Sequence, residues 1–208
     1  MGTTISAMDK KFIIQSPKLL LVEGSHEEKF FKSLLPNISV SGLQVIEVGG
    51  EHSFAPNLRN LPSYEKFEDV ISIGIVRDAD KNFKAKMASI QDALRQAKLP
   101  VPTTHLKPAE KPQISIFIMP NNSDNGALEN LCMETVADDP AIRCVDDYFN
   151  CLQALKNKSH PNIYKARVQA YLACKDEGDI HMGTASELGY WNFASPALDS
   201  LKQFLGSL

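Results

Sequence analysis

Leu19-Leu20-Leu21-Val22-Glu23-Gly24 and Ile75-Val76-Arg77-Asp78-Ala79-Asp80 decide how this chain folds. In each stretch an apolar run of strand length ends abruptly in carboxylates, which places the acids at the carboxyl ends of two core strands. Open α/β sheets bind their ligands at those ends. Glu23, Asp78 and Asp80 are therefore expected to converge on a divalent cation. Asp78 and Asp80 are one residue apart, so on a strand they point the same way, and on the turn after it both can bend toward one ion. Carboxylates this close repel unless a positive charge lies between them. Mg2+ or Mn2+ suits the site, because hard cations take oxygen ligands and Mg2+ combines one or two carboxylates with waters and a substrate phosphate. The competing reading is structural: aspartates after strands cap helices.

Outward from these stretches the chain alternates strands and helices. Lys18 to Val22 reads as a buried strand, and Gly24 allows a sharp exit from it. Ser25 with Glu28 fits a capping box, and Phe30, Phe31, Leu34 and Leu35 form a helical stripe that Pro36 should stop. Leu43 to Val48 reads as a second strand closing on Gly49-Gly50, followed by a short helix broken by Pro56 and Pro62. Val70 to Val76 is almost wholly apolar, as a strand covered on both faces is. Phe83, Met87, Ile90, Leu94 and Ala97 then give a helix of about 15 residues. After a loop rich in proline and lysine (100–112), Ile114 to Met119 is a fourth strand, and Ala127 opens a helix carrying Glu129. This order predicts an α/β fold: a mostly parallel four-stranded sheet flanked by helices over residues 1–137. From 138 to 208 the patterns are helical, predicting an extension packed on that core, with one helix around Ile142 to Leu155, another from Ile163 to Cys174, and a last one capped by Ser195-Pro196. Residues 176–193 read as a loop, and Met1 to Asp9 as an unpatterned end.

Composition narrows the function. The chain has 208 residues, 43% of them hydrophobic, enough for a substantial core. The formal net charge of -3 and pI near 6.0 argue against holding nucleic acid by overall positive charge. A phosphate partner must be met by local bases or by metal. Cys132, Cys144, Cys151 and Cys174 form no CxxC pair and read as reduced, mostly buried thiols rather than zinc ligands. No apolar run approaches the roughly 18 residues of a membrane helix. The expected setting is cytoplasmic, with no membrane partner; MGTTIS matches a myristoylation pattern that nothing else supports.

LLLVEG followed, after a helix, strand and helix, by IVRDAD resembles the Toprim family, the catalytic domain shared by topoisomerases, bacterial primases and OLD-type nucleases. The resemblance covers about residues 18–137. Asn82 stands where topoisomerases carry a third aspartate, and the zinc-binding segment of primases has no counterpart. The chain is more similar to the OLD-nuclease branch and to small stand-alone Toprim-like proteins. EGSHE matches that branch's EGxxE pattern through Glu23 and Glu27, GALEN matches its later acid through Glu129, and LGYWNF and SPALDSLKQFL resemble the tail of the stand-alone group.

The resemblance implies a toprim Mg2+- or Mn2+-dependent phosphodiester hydrolase acting on nucleic acid, with DNA as the expected substrate. Glu23, Asp78 and Asp80 would form one metal centre, and Glu27 and Glu129 would contribute to a second. Lys165, with Arg167 as runner-up, would stabilise developing phosphate charge. Ordinary helix charge is the alternative for Glu27 and Glu129, a solvated surface for Lys165, and pairing with Asp78 is expected for Arg77. Gly49-Gly50-Glu51-His52 resembles a phosphate-facing turn of Toprim proteins, His26 lies near the site end, and Tyr190, Trp191 and Phe193 read as packing or as a base-stacking surface. No GxxxxGK[ST] occurs, so the ATPase that accompanies OLD-type nucleases would come from a separate protein. A non-catalytic module binding nucleic acid or such an ATPase, or a hydrolase of small nucleotides, are the competing functions, and a homo-oligomer is compatible with each.

Overall fold

A computed structural model describes residues 13–102, 112–156 and 160–208. The unpatterned N-terminal residues and most of the 100–112 loop lie outside them. Strands β1 (Lys18–Val22), β2 (Leu43–Glu47), β3 (Ser72–Asp78) and β4 (Gln113–Met119) form one parallel sheet in the order β2-β1-β3-β4. Helices α1 (Ser25–Asn37), α2 (Glu51–Asn60) and α3 (Phe83–Gln96) connect them. From β1 the chain moves outward to β2, and from β3 it moves outward the other way to β4. The connections therefore diverge between β1 and β3, and a crevice opens at the carboxyl ends of those two strands. Glu23 and Asp78 sit at its lip.

Alternation along the strands divides the core. Leu20, Val22, Val76, Phe117 and Met119 pack on one face with the Phe30, Phe31, Leu34 and Leu35 stripe of α1. Leu19, Leu21, Ile73, Ile75 and Ile116 pack on the other, with Phe54 and Leu58 of α2 and Ile90 and Leu94 of α3. The α1 face also receives α4 (Leu128–Thr135) and the helices beyond residue 138: α5 (Ala141–Lys156), α6 (Ile163–Leu172), α7 (Met182–Glu187) and α8 (Asp199–Gly206). Val145, Tyr171, Trp191 and Phe204 share one apolar cluster with the sheet. Gly74 in β3 leaves room for this packing: a Cβ there would lie 2.5 Å from the Leu208 side chain.

Local details depart from the sequence pattern. Gly24, not Ser25, is the N-cap of α1, no side-chain cap bond forms, and the helix runs through Pro36 to Asn37. α2 runs through Pro56, held by buried Phe54 and Leu58 on either side, while Pro62 enters a 3-10 turn. β3 begins at Ser72 and ends at Asp78, so Arg77 and Asp78 belong to the strand rather than to the turn after it. Residues 176–193 are not all loop, because α7 lies within them. Its Gly183 packs against α1, where a Cβ would stand 3.1 Å from the His26 Cα. Only Cys132 is buried; Cys144, Cys151 and Cys174 are exposed, contrary to the expectation of buried thiols. Ser195 does cap the 3-10 turn that leads into α8, accepting from the Ala197 amide. Among the described residues no helix is long and apolar enough to cross a membrane.

Candidate functional site

Strand parity decides which acids meet. Val76 faces the α1 side, so Asp78, two residues on, faces it too. Ile75 faces the α2 and α3 side, and Arg77 follows it there. Leu21 pairs with Ile75 in the sheet, so Glu23, two residues beyond Leu21, comes out level with Arg77 on that same side. Glu23 and Asp78 therefore leave the sheet on opposite faces.

On the α2 and α3 face Glu23 forms an ion pair with the Arg77 Nε. The Arg77 side chain is 2% exposed, and its guanidinium lies 4.3 Å from the centroid of the Phe54 ring. Lys86, one turn into α3, places Nζ 3.8 Å from Glu23 Oε1 and 3.1 Å from Asp80 Oδ2. Asp80 has turned away from the strand. Its φ of 51° is left-handed, its amide donates to the Gly126 carbonyl at 2.7 Å, and its side chain is 63% exposed. Arg77 thus pairs with Glu23 rather than with Asp78, and Asp80 pairs with Lys86.

On the α1 face three carboxylates come together from three elements: Asp78 from β3, Glu27 from the first turn of α1 and Glu129 from the first turn of α4. Burial raises Asp78 well above the usual carboxylate range, and the negative charges of Glu27, Glu129 and Glu23 raise it further. A hydrogen bond from the Leu128 amide to Asp78 Oδ1, 2.9 Å, opposes this and caps α4. Glu27 is raised too, first by burial and then by Glu129 and Glu23, against backbone hydrogen bonds from its own residue and Gly24. Gly24 makes that approach feasible, since a Cβ there would lie 2.9 Å from Glu27 Oε2. The Glu129 side chain is 9% exposed, and its Oε2 is buried without a hydrogen-bond partner. Lys165, at the start of α6, reaches within 3.9 Å of Glu129 Oε1 from an exposed position. Arg167 is engaged elsewhere, in an ion pair with Asp146.

These groups line a cavity of about 930 Å³. The amino-terminal turns of α1, α4 and α6 all contribute to its wall through Ser25, Glu129 and Lys165. Helix amino termini carry partial positive charge and unpaired amides, which favour anions. His26 is at the rim, its ring 5.4 Å from that of His181, and burial and His181 lower it below the usual histidine value. Asn82, in the position of the topoisomerases' third aspartate, caps α3 by accepting from the Ala85 amide at 3.0 Å. Trp191 is buried and donates to the Met182 carbonyl, so it belongs to the packing of α7. Among the described residues no group of three or more His, Cys, Asp or Glu is placed so that it could hold a metal ion as it stands. Lys86 is the residue that sequence reasoning passed over. Its signal was a lysine in the first turn of the helix that follows IVRDAD.

Residues 17–208 match the family described as "Protein of unknown function (DUF3226)". The chain belongs to that family. No curated protein matches it significantly. This DUF3226 chain is similar in fold to the C-terminal region of the Xanthomonas campestris pv. campestris OLD protein. In the mercury-phased structure of that region the TM-score is 0.52 at 16% identity, covering 94% of this chain and 97% of the other. In the iodine-phased structure the TM-score is 0.53 at 16% identity, with 94% and 96% covered. The expected α/β fold, a parallel four-stranded sheet flanked by helices, is thus the observed one.

Proposed function

We propose that the chain is a Toprim-like, Mg2+- or Mn2+-dependent phosphodiester hydrolase acting on nucleic acid. The observation that carries this reading is the buried, unpartnered Oε2 of Glu129, placed with Glu27 and Asp78 in one cavity. A buried carboxylate oxygen without a partner is costly, and a hard cation is the ligand that would satisfy it while offsetting the burial, and after it the repulsion, that raise Asp78 and Glu27. The fold shared with the OLD C-terminal region supports the same class. Asp78, Glu27 and Glu129 would hold the ion, closing on it by side-chain rotation. When bound, the ion supplies positive charge for a phosphoryl oxygen and a more acidic water.

The remaining groups suit a phosphodiester. Lys165 stands at the mouth, where its flexible ammonium can meet a phosphate, and the amino termini of α1 and α6 present amides to the same anion. Arg77 and Lys86 hold Glu23 in place on the far side of the strand ends. The acidic wall of the cavity fits a backbone phosphate brought in with metal better than one held by a basic groove.

One observation favours a second reading, a non-catalytic module that binds nucleic acid or a partner ATPase: Asp78 already serves as the cap of α4. A plasmid-nicking assay with Mn2+ separates the two. The hydrolase reading expects nicked DNA from the wild type and at least a hundredfold less from Glu129→Gln, with its circular dichroism unchanged. Equal nicking by the variant, or DNA intact under all conditions, would reject it, and turnover of free nucleotides with DNA intact would move the substrate to small phosphate esters.

A further inference from the structure

We infer that Lys86 is a built-in cation that takes the place of one metal ion, so that the chain binds a single divalent ion, on the α1 side of the strand ends. The inference rests on the proposed metal centre and fixes its stoichiometry.

The acids at the strand ends fall into two groups with different charge balance. On the α2 and α3 side two carboxylates, Glu23 and Asp80, face two cations, Arg77 and Lys86. Arg77 is buried against Phe54 and paired with Glu23, and has no freedom to leave. The Lys86 side chain is 11% exposed, and its Nζ lies between Glu23 Oε1 at 3.8 Å and Asp80 Oδ2 at 3.1 Å. That is where an ion bridging the strand-end glutamate and the second aspartate of DxD would have to sit. An ammonium and a divalent cation cannot share it, and the local charge is already neutral. On the α1 side the balance is reversed. Asp78, Glu27 and Glu129 line one face of a cavity whose wall Glu23, Asp80 and Lys81 also reach, and the cation that pairs with them is Lys165, 3.9 Å from Glu129 Oε1 and 67% exposed. The group with unmatched negative charge also holds the buried oxygen without a partner.

The division follows from the backbone. Parity sends Glu23 and Asp78 to opposite faces, and the left-handed turn at Asp80 carries that carboxylate away from Asp78 and toward α3. Two ions sharing Asp78 and Asp80 would require the turn to unwind and the amide of Asp80 to leave Gly126.

Counting bound Mn2+ tests this without reference to activity. Isothermal titration calorimetry, with electron paramagnetic resonance of free Mn2+ as a check, should give one ion per chain for the wild type. Asp80→Ala should still bind one, and Glu129→Gln none. Lys86→Met removes the internal cation and should bind two, provided its circular dichroism matches the wild type; should it fail to fold, Lys86→Gln serves in its place. Two ions on the wild type, or one on the folded Lys86 variant, would overturn the inference and leave the metal centre standing. No ion on the wild type would reject the centre itself, and this inference with it.

Discussion

Asp78 has two partners that want opposite things from it. The Leu128 amide favours its ionised form, while burial and the charges of Glu27, Glu129 and Glu23 favour its protonated form, and the second set wins. A carboxyl raised in the folded state binds more protons than in the unfolded chain. Stability is then greatest at low pH and is lost as pH rises from the ordinary carboxylate range through the raised value. His26, lowered in the fold, works in the other direction, so the effect is read as a difference. In chelator, Asp78→Asn, which keeps an oxygen for the Leu128 amide, should melt above the wild type at neutral pH, and the gap should close below about pH 4. Thermal unfolding of both proteins across that range checks it. Glu129→Gln makes a related case. The Glu129 Oε2 is buried without a partner and its Oε1 has only the exposed Lys165 at 3.9 Å, so neutralising the carboxylate should stabilise the metal-free protein by about 1–3 kcal/mol, measured by urea denaturation, while abolishing the proposed ion binding.

At the scale of elements the site depends on how closely helices approach. Gly183 lets α7 lie on α1 beside His26, and a methyl group there would meet Lys29 Cδ at 3.0 Å and the His26 Cα at 3.1 Å, of which the backbone atom cannot swing aside. Gly183→Ala should cost about 1–3 kcal/mol, visible as a lower urea midpoint with an unchanged slope. Asp139 is a second joint. It accepts from the Ala141 amide at the start of α5, from Tyr171 Oη at 2.8 Å and from Lys175 Nζ at 2.9 Å, and these bonds hold its carboxyl down to about 2. Asp139→Ala should destabilise by roughly 1–3 kcal/mol at neutral pH, and the loss should shrink in acid as the wild-type carboxylate protonates.

Most elements were legible because their apolar spacing was strong: the Phe30 to Leu35 stripe, the Val70 to Val76 run and the Phe83 to Ala97 repeat all mark real helices and strands. What the pattern hid was a matter of one or two residues. Ending β3 at Asp78 rather than Val76 fixes which side of the sheet each charged residue faces, and the left-handed turn at Asp80 has only a weak signature, since aspartate is enriched in that region yet rarely adopts it. Strand identity was therefore readable while the partition of Glu23, Asp78 and Asp80 was not. α7 escaped because six residues of MGTASE have no apolar period, and its place comes from tertiary packing.

Across the whole molecule, the two faces of one sheet separate the acids as they separate the core. The α2 and α3 side neutralises its carboxylates internally, and on the proposal made above the α1 side would leave its own to an added cation. Saturating Mn2+ should accordingly raise stability, by about 2.7 kcal/mol at a concentration one hundred times its Kd, and should do so in the wild type but not in Glu129→Gln. The position of the ion is the most direct measurement of all. Anomalous diffraction from crystals soaked in Mn2+ should give one peak, among Asp78, Glu27 and Glu129, with Lys86 still between Glu23 and Asp80. A peak between Glu23 and Asp80, or no peak at the three carboxylates, would contradict the account.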